Sequence, residues 1–277
     1  MADNEYAKIA KEYYNSAAHE IYLECWGGEN HHLGLFDDTD DFYEAAQRAN
    51  ENLLKKLEIK EGDKVIDIGS GFCGLPRYIA KNSNCDKVVA LNISEKENEY
   101  AREKNKEECL DHQIDVYEGD FNNMPFEGEE FDIMVSQDAM LHSPDKASLL
   151  KECNRILKKG GTFVFTDILQ MPSLTLEEAQ KVYDRVNVPD LGTFEFYKEK
   201  LEEAGFEVKE VIEYGSENLG KSYKSVHDNL DNKKDYLINE RNLPEDRINN
   251  TLQGLKYWVE RANEGKINWG LFVAKKK

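Results

Sequence analysis

Five short apolar runs that alternate with amphipathic segments are the strongest constraint on how this chain folds. The runs have the length of buried strands, and they are KVIDIG (64–69), KVVALNI (87–93), DVYEGDF (115–121), FDIMVS (131–136) and GTFVFTDI (161–168). Segments with helical spacing separate them, centred near residues 74–81, 95–108 and 145–158, and we expect Gly160 and Gly161 to end the last helix. Strands that alternate with helices in this way predict a parallel, doubly wound α/β sheet. Ligands of such a sheet bind beyond the carboxyl ends of its strands.

The sequence on either side of this alternation is expected to complete the sheet and to cover it. Residues 5–25 and 40–58 have helical spacing, whereas FEVKEVIEY (206–214) and INWGLFVAK (267–275) are typical of strands. The roughly fifty residues between these two strands are mostly helical, which is too long for a hairpin turn and predicts a lid-like insertion. We therefore expect a Rossmann-like sheet of about seven strands, with an N-terminal helical cap and a helical insertion before the last strand.

Composition excludes several classes of partner. The 277 residues carry a formal net charge of −19, which argues against nucleic acid because phosphate binding requires a basic surface. Such a charge is compatible both with an ordinary solvated surface and with a salty cytoplasm. The start of the chain has no apolar signal region, and no apolar run approaches the roughly 20 residues that span a bilayer, so we expect a cytoplasmic protein without a membrane partner. The five cysteines lack CxxC spacing, which favours reduced thiols over disulfides or zinc.

A glycine-rich loop follows the first predicted strand. The segment DIGSGFCG places Gly69, Gly71 and Gly74 in the order G-x-G-x-x-G, and such a loop lets a ligand approach the backbone closely at the start of a helix. Enzymes that bind nicotinamide dinucleotides also use this loop, with an acidic residue about 20 positions further on that binds ribose hydroxyls. The second strand of this chain ends instead at Asn92, so the loop favours a ligand other than a dinucleotide.

Two acidic positions near this loop indicate which chemical groups the ligand carries. Asp67 lies two residues before the first glycine, where its carboxylate can reach an ammonium group. Asp120 ends the third strand and can accept a hydrogen bond from an adenine amino group, while Phe121 can cover the ring. An ammonium group, a ribose and an adenine without a pyrophosphate describe S-adenosylmethionine, with S-adenosylhomocysteine as the product.

The motif D-x-G-x-G-x-x-G, together with Asn92 and Asp120-Phe121, resembles the class I methyltransferases over residues 60–170. That family usually has Asp or Glu at the position of Asn92, so we expect weaker ribose binding there. The positions that the resemblance assigns to the cofactor are Asp67, Gly69, Gly71, Asn92, Ile93, Asp120, Phe121 and Gln137.

Motifs outside this core resemble a narrower family. YLECWGGENHHLG, SQDAMLHSPD and GKINWGLFVAKKK together resemble the sarcosine/dimethylglycine N-methyltransferases, which methylate small amino acids at nitrogen and make the osmolyte glycine betaine. The related phosphoethanolamine methyltransferases share the patterns Y…Y…W/F-G-E-N and S-x-D-A-x-L-H, in which a tyrosine and a histidine form a catalytic pair. The resemblance implies Tyr14 and His142 as that pair, with Asp138 as a contact of the substrate amine. It also implies that His32 contacts the methionine end of the cofactor.

Side chains that suit a methylated amino acid lie in nearby segments. Trp26 can pack over the methylated nitrogen by cation–π attraction, and Tyr22 precedes it on the same predicted helix. A carboxylate on the substrate requires cations or amides, for which Arg185 and Asn187 are the candidates. Each of these side chains, like the implied catalytic pair, also has a structural interpretation as a packing residue, a hydrogen-bonded histidine or a surface ion pair.

The resemblance divides the chain into three segments of one domain. We expect a helical cap over 1–58, a cofactor-binding core over 59–170, and substrate-side helices, the insertion and the last two strands over 171–277. The leading hypothesis is an S-adenosylmethionine-dependent N-methyltransferase of sarcosine and dimethylglycine that is a monomer or homodimer. We expect no metal at His31 and His32, because the side chains of adjacent residues point in different directions. Glycine or phosphoethanolamine is the alternative acceptor. A cofactor-binding regulatory subunit without catalysis is the alternative class.

Overall fold

The computed structural model of the protein describes residues 5–26 and 28–277, and a mixed sheet of seven strands lies at the centre of these residues. The strands are β1 Lys64–Ile68, β2 Lys87–Asn92, β3 Ile114–Glu118, β4 Phe131–Gln137, β5 Leu157–Gln170, β6 Phe206–Glu213 and β7 Ile267–Lys276. Their order in the sheet is β3-β2-β1-β4-β5-β7-β6. The first five strands pair in parallel, whereas β7 is antiparallel to both β5 and β6. The predicted doubly wound, Rossmann-like sheet is confirmed.

Helices cover both faces of this sheet, which explains why its central strands are continuously apolar. They are α1 Glu5–Tyr14, α2 Ala17–Cys25, α3 Phe42–Leu57, α4 Gly74–Asn82, α5 Glu95–Glu107, α6 Lys146–Ile156, α7 Leu176–Val186, α8 Phe194–Glu203, α9 Gly215–Asn232, α10 Lys234–Asn239 and α11 Glu245–Asn263, with a 3₁₀ turn at Met140–His142. β1 and β2 are buried along nearly their whole length, whereas the edge strand β6 is only partly buried. None of the described helices is long and apolar enough to cross a membrane.

The N-terminal region forms two helices, so the prediction of one helix over 5–25 was wrong. Between α1 and α2, Ser16 is the N-cap residue of α2, and its Oγ accepts the backbone N–H of Ala18 at 3.3 Å. A serine satisfies the free N–H groups at a helix start better than it continues a helix, so a new helix begins here.

The link between α6 and β5 also differs from the prediction that two glycines end the helix. α6 ends at Ile156, and β5 begins directly at Leu157, with a shift in its register against β4. Gly160 has a φ of +74°, and a Cβ on Gly161 would lie 2.8 Å from the carbonyl oxygen of Asp132. The two glycines therefore permit an irregular start to β5, where other side chains would be strained or would clash.

The N-terminal helices and the insertion pack together near the carboxyl ends of the parallel strands. As predicted, α9, α10 and α11 form the insertion between β6 and β7. Tyr22 of α2, Val226 of α9 and Trp258 of α11 belong to one buried apolar cluster. Ile168 of β5 and Trp269 of β7 belong to the same cluster. The N-terminal helices and the insertion thus form one continuous apolar layer that packs on this end of the sheet.

Candidate active site

The carboxyl ends of β1, β2, β3 and β4 border a cleft of about 670 Å³, here called the main cleft. Its lining residues are Ala10, Tyr14, His31, Gly69, Gly71, Asn92, Ile93, Glu97, Gly119, Asp120, Phe121, Asn122, Gln137, Asp138, Ala139 and His142. An adjoining recess of about 300 Å³ shares Gly69, Gly71 and Gln137 and adds Asp67 and His32. Both spaces lie where the strand order reverses between β1 and β4, which is the position expected of a ligand in this architecture.

Gly69 and Gly71 leave the wall of the main cleft without side chains. Gly69 has a φ of +80°, and a Cβ on it would lie 2.4 Å from the Cβ of Ala139. Gly71 has a φ of +51°, and a Cβ on it would lie 3.4 Å from Nδ1 of His31. The bare backbone just before α4 therefore lets a ligand approach closely.

Asp67 and Gln137 give the recess a buried carboxyl group and a buried amide. Asp67 is 2% exposed, and burial raises the pKa of its carboxyl group to about 8. The amide nitrogen and oxygen of Gln137 are both buried without a hydrogen-bond partner among the described residues. A buried carboxyl group and an unpaired amide are unfavourable unless a ligand satisfies them, so the recess suits a cationic, hydrogen-bonding ligand group.

Asn92 is joined in the main cleft by Glu97, a residue that sequence reasoning missed. The Nδ2 group of Asn92 donates to Oε2 of Glu97 at 2.8 Å, while Oε1 of Glu97 is buried without a hydrogen bond to any described residue. The nearby His31 is neutral because burial lowers its pKa to about 3, and burial raises the pKa of Glu97 to about 7. Glu97 follows Ser94 in the pattern S-x-x-E, which is typical of a capping box and gives no sign of a cleft.

Asp120 and Phe121 lie in the main cleft after β3, and Ile93 lines it after β2. The Oδ1 atom of Asp120 accepts the backbone N–H of Asn122 at 2.8 Å and its side-chain amide at 2.7 Å. Cε1 of Phe121 lies 3.8 Å from the position of a Cβ on Gly69, so the ring faces the glycine loop. A carboxylate held beside an aromatic ring suits a flat base such as adenine.

Tyr14 and His142 form a hydrogen bond at the wall of the main cleft. Oη of Tyr14 lies 2.8 Å from Nε2 of His142, although the two residues are far apart in the sequence. Burial lowers the pKa of His142 to about 4, and the charge of Lys146 adds to this effect. Burial also raises the pKa of Tyr14 well above its usual value. Both side chains are therefore neutral near pH 7, and the imidazole is able to accept a proton.

Asp138 connects three separate parts of the chain. Its Oδ2 atom accepts the backbone N–H of Leu33 at 2.9 Å. Its Oδ1 atom accepts the hydroxyl of Thr166 at 2.7 Å and the indole N–H of Trp269 at 2.8 Å. Burial raises the pKa of Asp138, and these three donors oppose the rise. Because a carboxylate has about four acceptor positions, about one remains for a ligand in the cleft.

The predicted substrate residues Tyr22, Trp26 and Arg185 line a further, narrow space, here called the aromatic chamber. Its lining residues are Tyr13, Ala18, Ile21, Tyr22, Trp26, Arg185, Val226, Arg247 and Thr251. The ring of Tyr22 lies 4.7 Å from that of Trp26 and 5.8 Å from that of Tyr14. The aromatic chamber therefore adjoins the Tyr14–His142 pair through Tyr22.

His32 and Asn187 occupy less central positions. His32 is buried in the recess, where its Nδ1 lies 2.8 Å from the carbonyl oxygen of Leu33. Its Nε2 has no hydrogen-bond partner among the described residues. Asn187 is exposed at the end of α7, where it lines an outer cleft of about 1090 Å³. The structure does not bring Asn187 into the aromatic chamber. Within residues 5–26 and 28–277, no three His, Cys, Asp or Glu side chains are placed to hold a metal ion.

Comparison with known proteins agrees with this geometry. A family model described as a methyltransferase domain matches residues 66–165. The sarcosine/dimethylglycine N-methyltransferase of Halorhodospira halochloris is 36% identical over 99% of this chain and 98% of that protein, and its counterpart from Aphanothece halophytica is 35% identical over 96% and 95%. The crystal structure of a candidate sarcosine dimethylglycine methyltransferase from Galdieria sulphuraria matches with a TM-score of 0.85 at 28% identity, over 93% of this chain and 97% of that chain. The chain therefore belongs to the sarcosine/dimethylglycine N-methyltransferase family of S-adenosylmethionine-dependent methyltransferases.

Proposed function

We propose that this enzyme methylates sarcosine and dimethylglycine to form glycine betaine. The observation that carries the proposal is the hydrogen-bonded pair of Tyr14 and His142, which lines the main cleft and adjoins Tyr22 of the aromatic chamber. A proton acceptor placed between a nucleotide-type cleft and a small aromatic space suits methyl transfer to an amine. The substrates in the names of the relatives support the same acceptors.

The main cleft and the recess have the polar groups that S-adenosylmethionine requires. Asp67 would hold its ammonium group, and the unpaired amide of Gln137 would bond to its amino-acid end. The free oxygen of Glu97 would accept from a ribose hydroxyl, while Asp120 and Phe121 would bind adenine. When bound, S-adenosylmethionine supplies an electrophilic methyl group to the substrate nitrogen.

The substrate amine must lose a proton before methylation, because an ammonium has no free electron pair. Oη of Tyr14 would accept this proton while it passes its own proton to Nε2 of His142, along the 2.8 Å hydrogen bond. Tyr14 then stays neutral throughout, in keeping with a pKa that burial raises. The low pKa of His142 keeps the imidazole unprotonated and ready at neutral pH. Burial in the same site also lowers the pKa of the substrate amine, which favours the transfer.

Asp138 and Trp26 would orient the amine. The remaining acceptor position of Asp138 faces a cleft that His142 also lines, so it can attract the cationic substrate. Trp26 would pack over the methyl groups already on the nitrogen. Holding the nitrogen in line with the reacting methyl group supplies much of the rate enhancement that such a reaction needs.

The lysines of the insertion argue against a substrate that carries a phosphate. Four of them are paired with an acidic side chain: Lys221 with Glu217, Lys224 with Asp228, Lys233 with Glu24, and Lys234 with Glu245. Phosphoethanolamine would require several free cations at the site, which these lysines do not supply. These four lysines therefore do not indicate a phosphate site.

Product analysis tests the proposal. The purified protein is incubated with S-adenosylmethionine and, separately, with glycine, sarcosine, dimethylglycine or phosphoethanolamine, and products are identified by mass. We expect methyl addition to sarcosine and dimethylglycine, with little product from the His142→Ala control. Turnover of phosphoethanolamine alone would contradict the proposal.

A further inference from the structure

A second arginine, Arg247, lines the aromatic chamber together with Arg185. Arg185 lies near the end of α7, whereas Arg247 lies in the first turns of α11, within the insertion. Both residues line the aromatic chamber and also the outer cleft. The two side chains therefore approach one small space from different elements.

Neither guanidinium group has an acidic partner in the part of the chain that the structure describes. Among the described residues, Nε and Nη1 of Arg185 and Nε of Arg247 are buried without a hydrogen-bond partner, and neither arginine forms a salt bridge. Five other arginines are paired with acids, namely Arg48, Arg77, Arg155, Arg241 and Arg261, and Arg102 donates to the carbonyl oxygen of Val116. The chain has 55 acidic residues and 36 basic ones, so acidic partners are abundant. Two arginines without such a partner at one space therefore indicate that an external anion accepts their hydrogen bonds.

Aromatic rings hold both arginines in place. The guanidinium carbon of Arg185 lies 4.9 Å from the ring centre of Tyr223 and 4.8 Å from that of Trp258. The guanidinium carbon of Arg247 lies 5.3 Å from the ring centre of Tyr13. Cation–π contacts of this kind stabilise the charge but leave the N–H donors free for a planar anion.

A glycine on α11 makes room for Arg185 beside Arg247. A Cβ on Gly254 would lie 3.0 Å from Cγ of Arg185 and 3.3 Å from its Cδ. Alanine favours a helix over glycine by about 1 kcal/mol, so a glycine here is explained by this close approach. Gly254 follows Arg247 by two helical turns on the same face, which places both on the side of α11 that meets α7.

We propose that Arg185 and Arg247 together form the subsite that binds the carboxylate of the amino-acid substrate. This rests on the proposed function, because the acceptors proposed there carry a carboxylate. The hydroxyls of Tyr13 and Tyr22 lie 3.2 Å apart and connect the subsite to Tyr14. With the carboxylate held there, the nitrogen one carbon away extends towards Tyr14 and His142. The insertion thereby selects the substrate.

Kinetics with a matched pair of acceptors tests this subsite. Dimethylglycine carries the carboxylate, whereas dimethylethanolamine carries a neutral hydroxyl beside the same dimethylamine. We expect Arg247→Ala to lower kcat/KM for dimethylglycine by about ten- to a hundred-fold, mainly through KM, as for the loss of a hydrogen bond to a charged group. The rate with dimethylethanolamine should stay the same, and Arg247→Lys should restore part of the loss.

Two controls separate a local effect from misfolding and from a change in net charge. The affinity for S-adenosylhomocysteine, measured by calorimetry, should be unchanged in Arg247→Ala. Lys256→Ala removes an exposed cation from the same helix and should leave both acceptors unaffected. An Arg247→Ala variant that retains the wild-type kcat/KM for dimethylglycine, or that loses the same factor with both acceptors, would overturn the subsite.

The proposed function and the subsite fail in different ways. If the wild-type enzyme methylates neither sarcosine nor dimethylglycine, the proposed function is wrong. Calorimetry on the S-adenosylhomocysteine complex then decides the subsite, with glycine betaine and choline as carboxylate and hydroxyl probes. Preference for glycine betaine that disappears in Arg247→Ala supports the subsite, and equal or absent binding of the two probes refutes it.

Discussion

Replacing Asp67 by Asn should stabilise the cofactor-free protein while it weakens cofactor binding. Asp67 is 2% exposed, and burial raises the pKa of its carboxyl group from the usual 3.8 to about 8. At pH 7 this group is ionised in the unfolded chain and mostly protonated in the native one, so folding must take up a proton. Each pH unit between 3.8 and 7 adds about 1.4 kcal/mol to this cost, which makes the total on the order of 4 kcal/mol. An Asn side chain has nearly the same shape and avoids most of it.

The sign of the pH dependence distinguishes this mechanism from a change in packing. Because the native pKa of Asp67 is raised, its unfavourable contribution is absent below pH 3.8 and grows until the pH reaches about 8. Urea denaturation without ligand, followed by circular dichroism, should show Asp67→Asn more stable by about 4 kcal/mol at pH 7 and by roughly 2 kcal/mol at pH 5. Groups common to both proteins cancel in the difference.

Cofactor affinity should change in the opposite direction. The ammonium group of S-adenosylmethionine favours the ionised carboxylate of Asp67, so we expect Asp67→Asn to weaken binding by about ten- to a hundred-fold in calorimetry. The exposed Asp86→Asn serves as the matched control and should change neither stability nor affinity. Equal stability of Asp67→Asn and wild type at both pH values would refute the argument from burial. Unchanged affinity would remove Asp67 from the cofactor site.

Three further variants probe the rest of the site. His142→Ala should lower kcat by about 10²–10⁴ with unchanged cofactor affinity, and high pH should restore part of the rate because free amine becomes more abundant; a wild-type pH–rate profile would make His142 structural. Wild-type cofactor affinity should rise between pH 6 and pH 8 as Glu97 and Asp67 ionise, whereas calorimetry on Glu97→Gln should show weaker binding and a smaller rise, because only Asp67 then titrates in this range. Asp138→Asn should lower the free energy of unfolding by about 1–3 kcal/mol, because the new amide N–H₂ would face an N–H or O–H group that now donates to the carboxylate. An unchanged urea denaturation curve would count against these hydrogen bonds.

The arrangement of strand ends was accessible from sequence because it depends on local pattern. Apolar runs that alternate with helical spacing predict a parallel sheet, and the carboxyl ends of parallel strands meet at one edge. That rule predicts Asp67, Gln137 and His142 at the same edge of the sheet, and the structure places Gln137 and His142 in the main cleft and Asp67 in the adjoining recess. The family followed from motifs at both ends of the chain, and the comparisons confirm it.

Contacts between distant segments could not be derived in this way. The hydrogen bond between Tyr14 and His142 depends on how the N-terminal helices lie over the sheet, and a helix pattern does not specify that. The bond from Trp269 to Asp138 exists only because β7 inserts beside β5, which places an indole N–H near a strand end. The break between α1 and α2 was not predicted, because the sequence around Ser16 has continuous helical spacing and does not show that its side chain caps a new helix.

The sequence by itself determined the architecture, the kind of ligand and the family, because periodicity and short motifs report local backbone geometry and recurring chemistry. Only the tertiary structure revealed which polar groups are buried without partners. Glu97 is an ordinary residue of a charged helix in the sequence, and Arg247 is one of many cations in an acidic chain. Burial turns Glu97 into a cleft carboxylate with a raised pKa and leaves Arg247 unpaired beside Arg185. Desolvation depends on everything packed around a side chain, and that information is not local in the sequence.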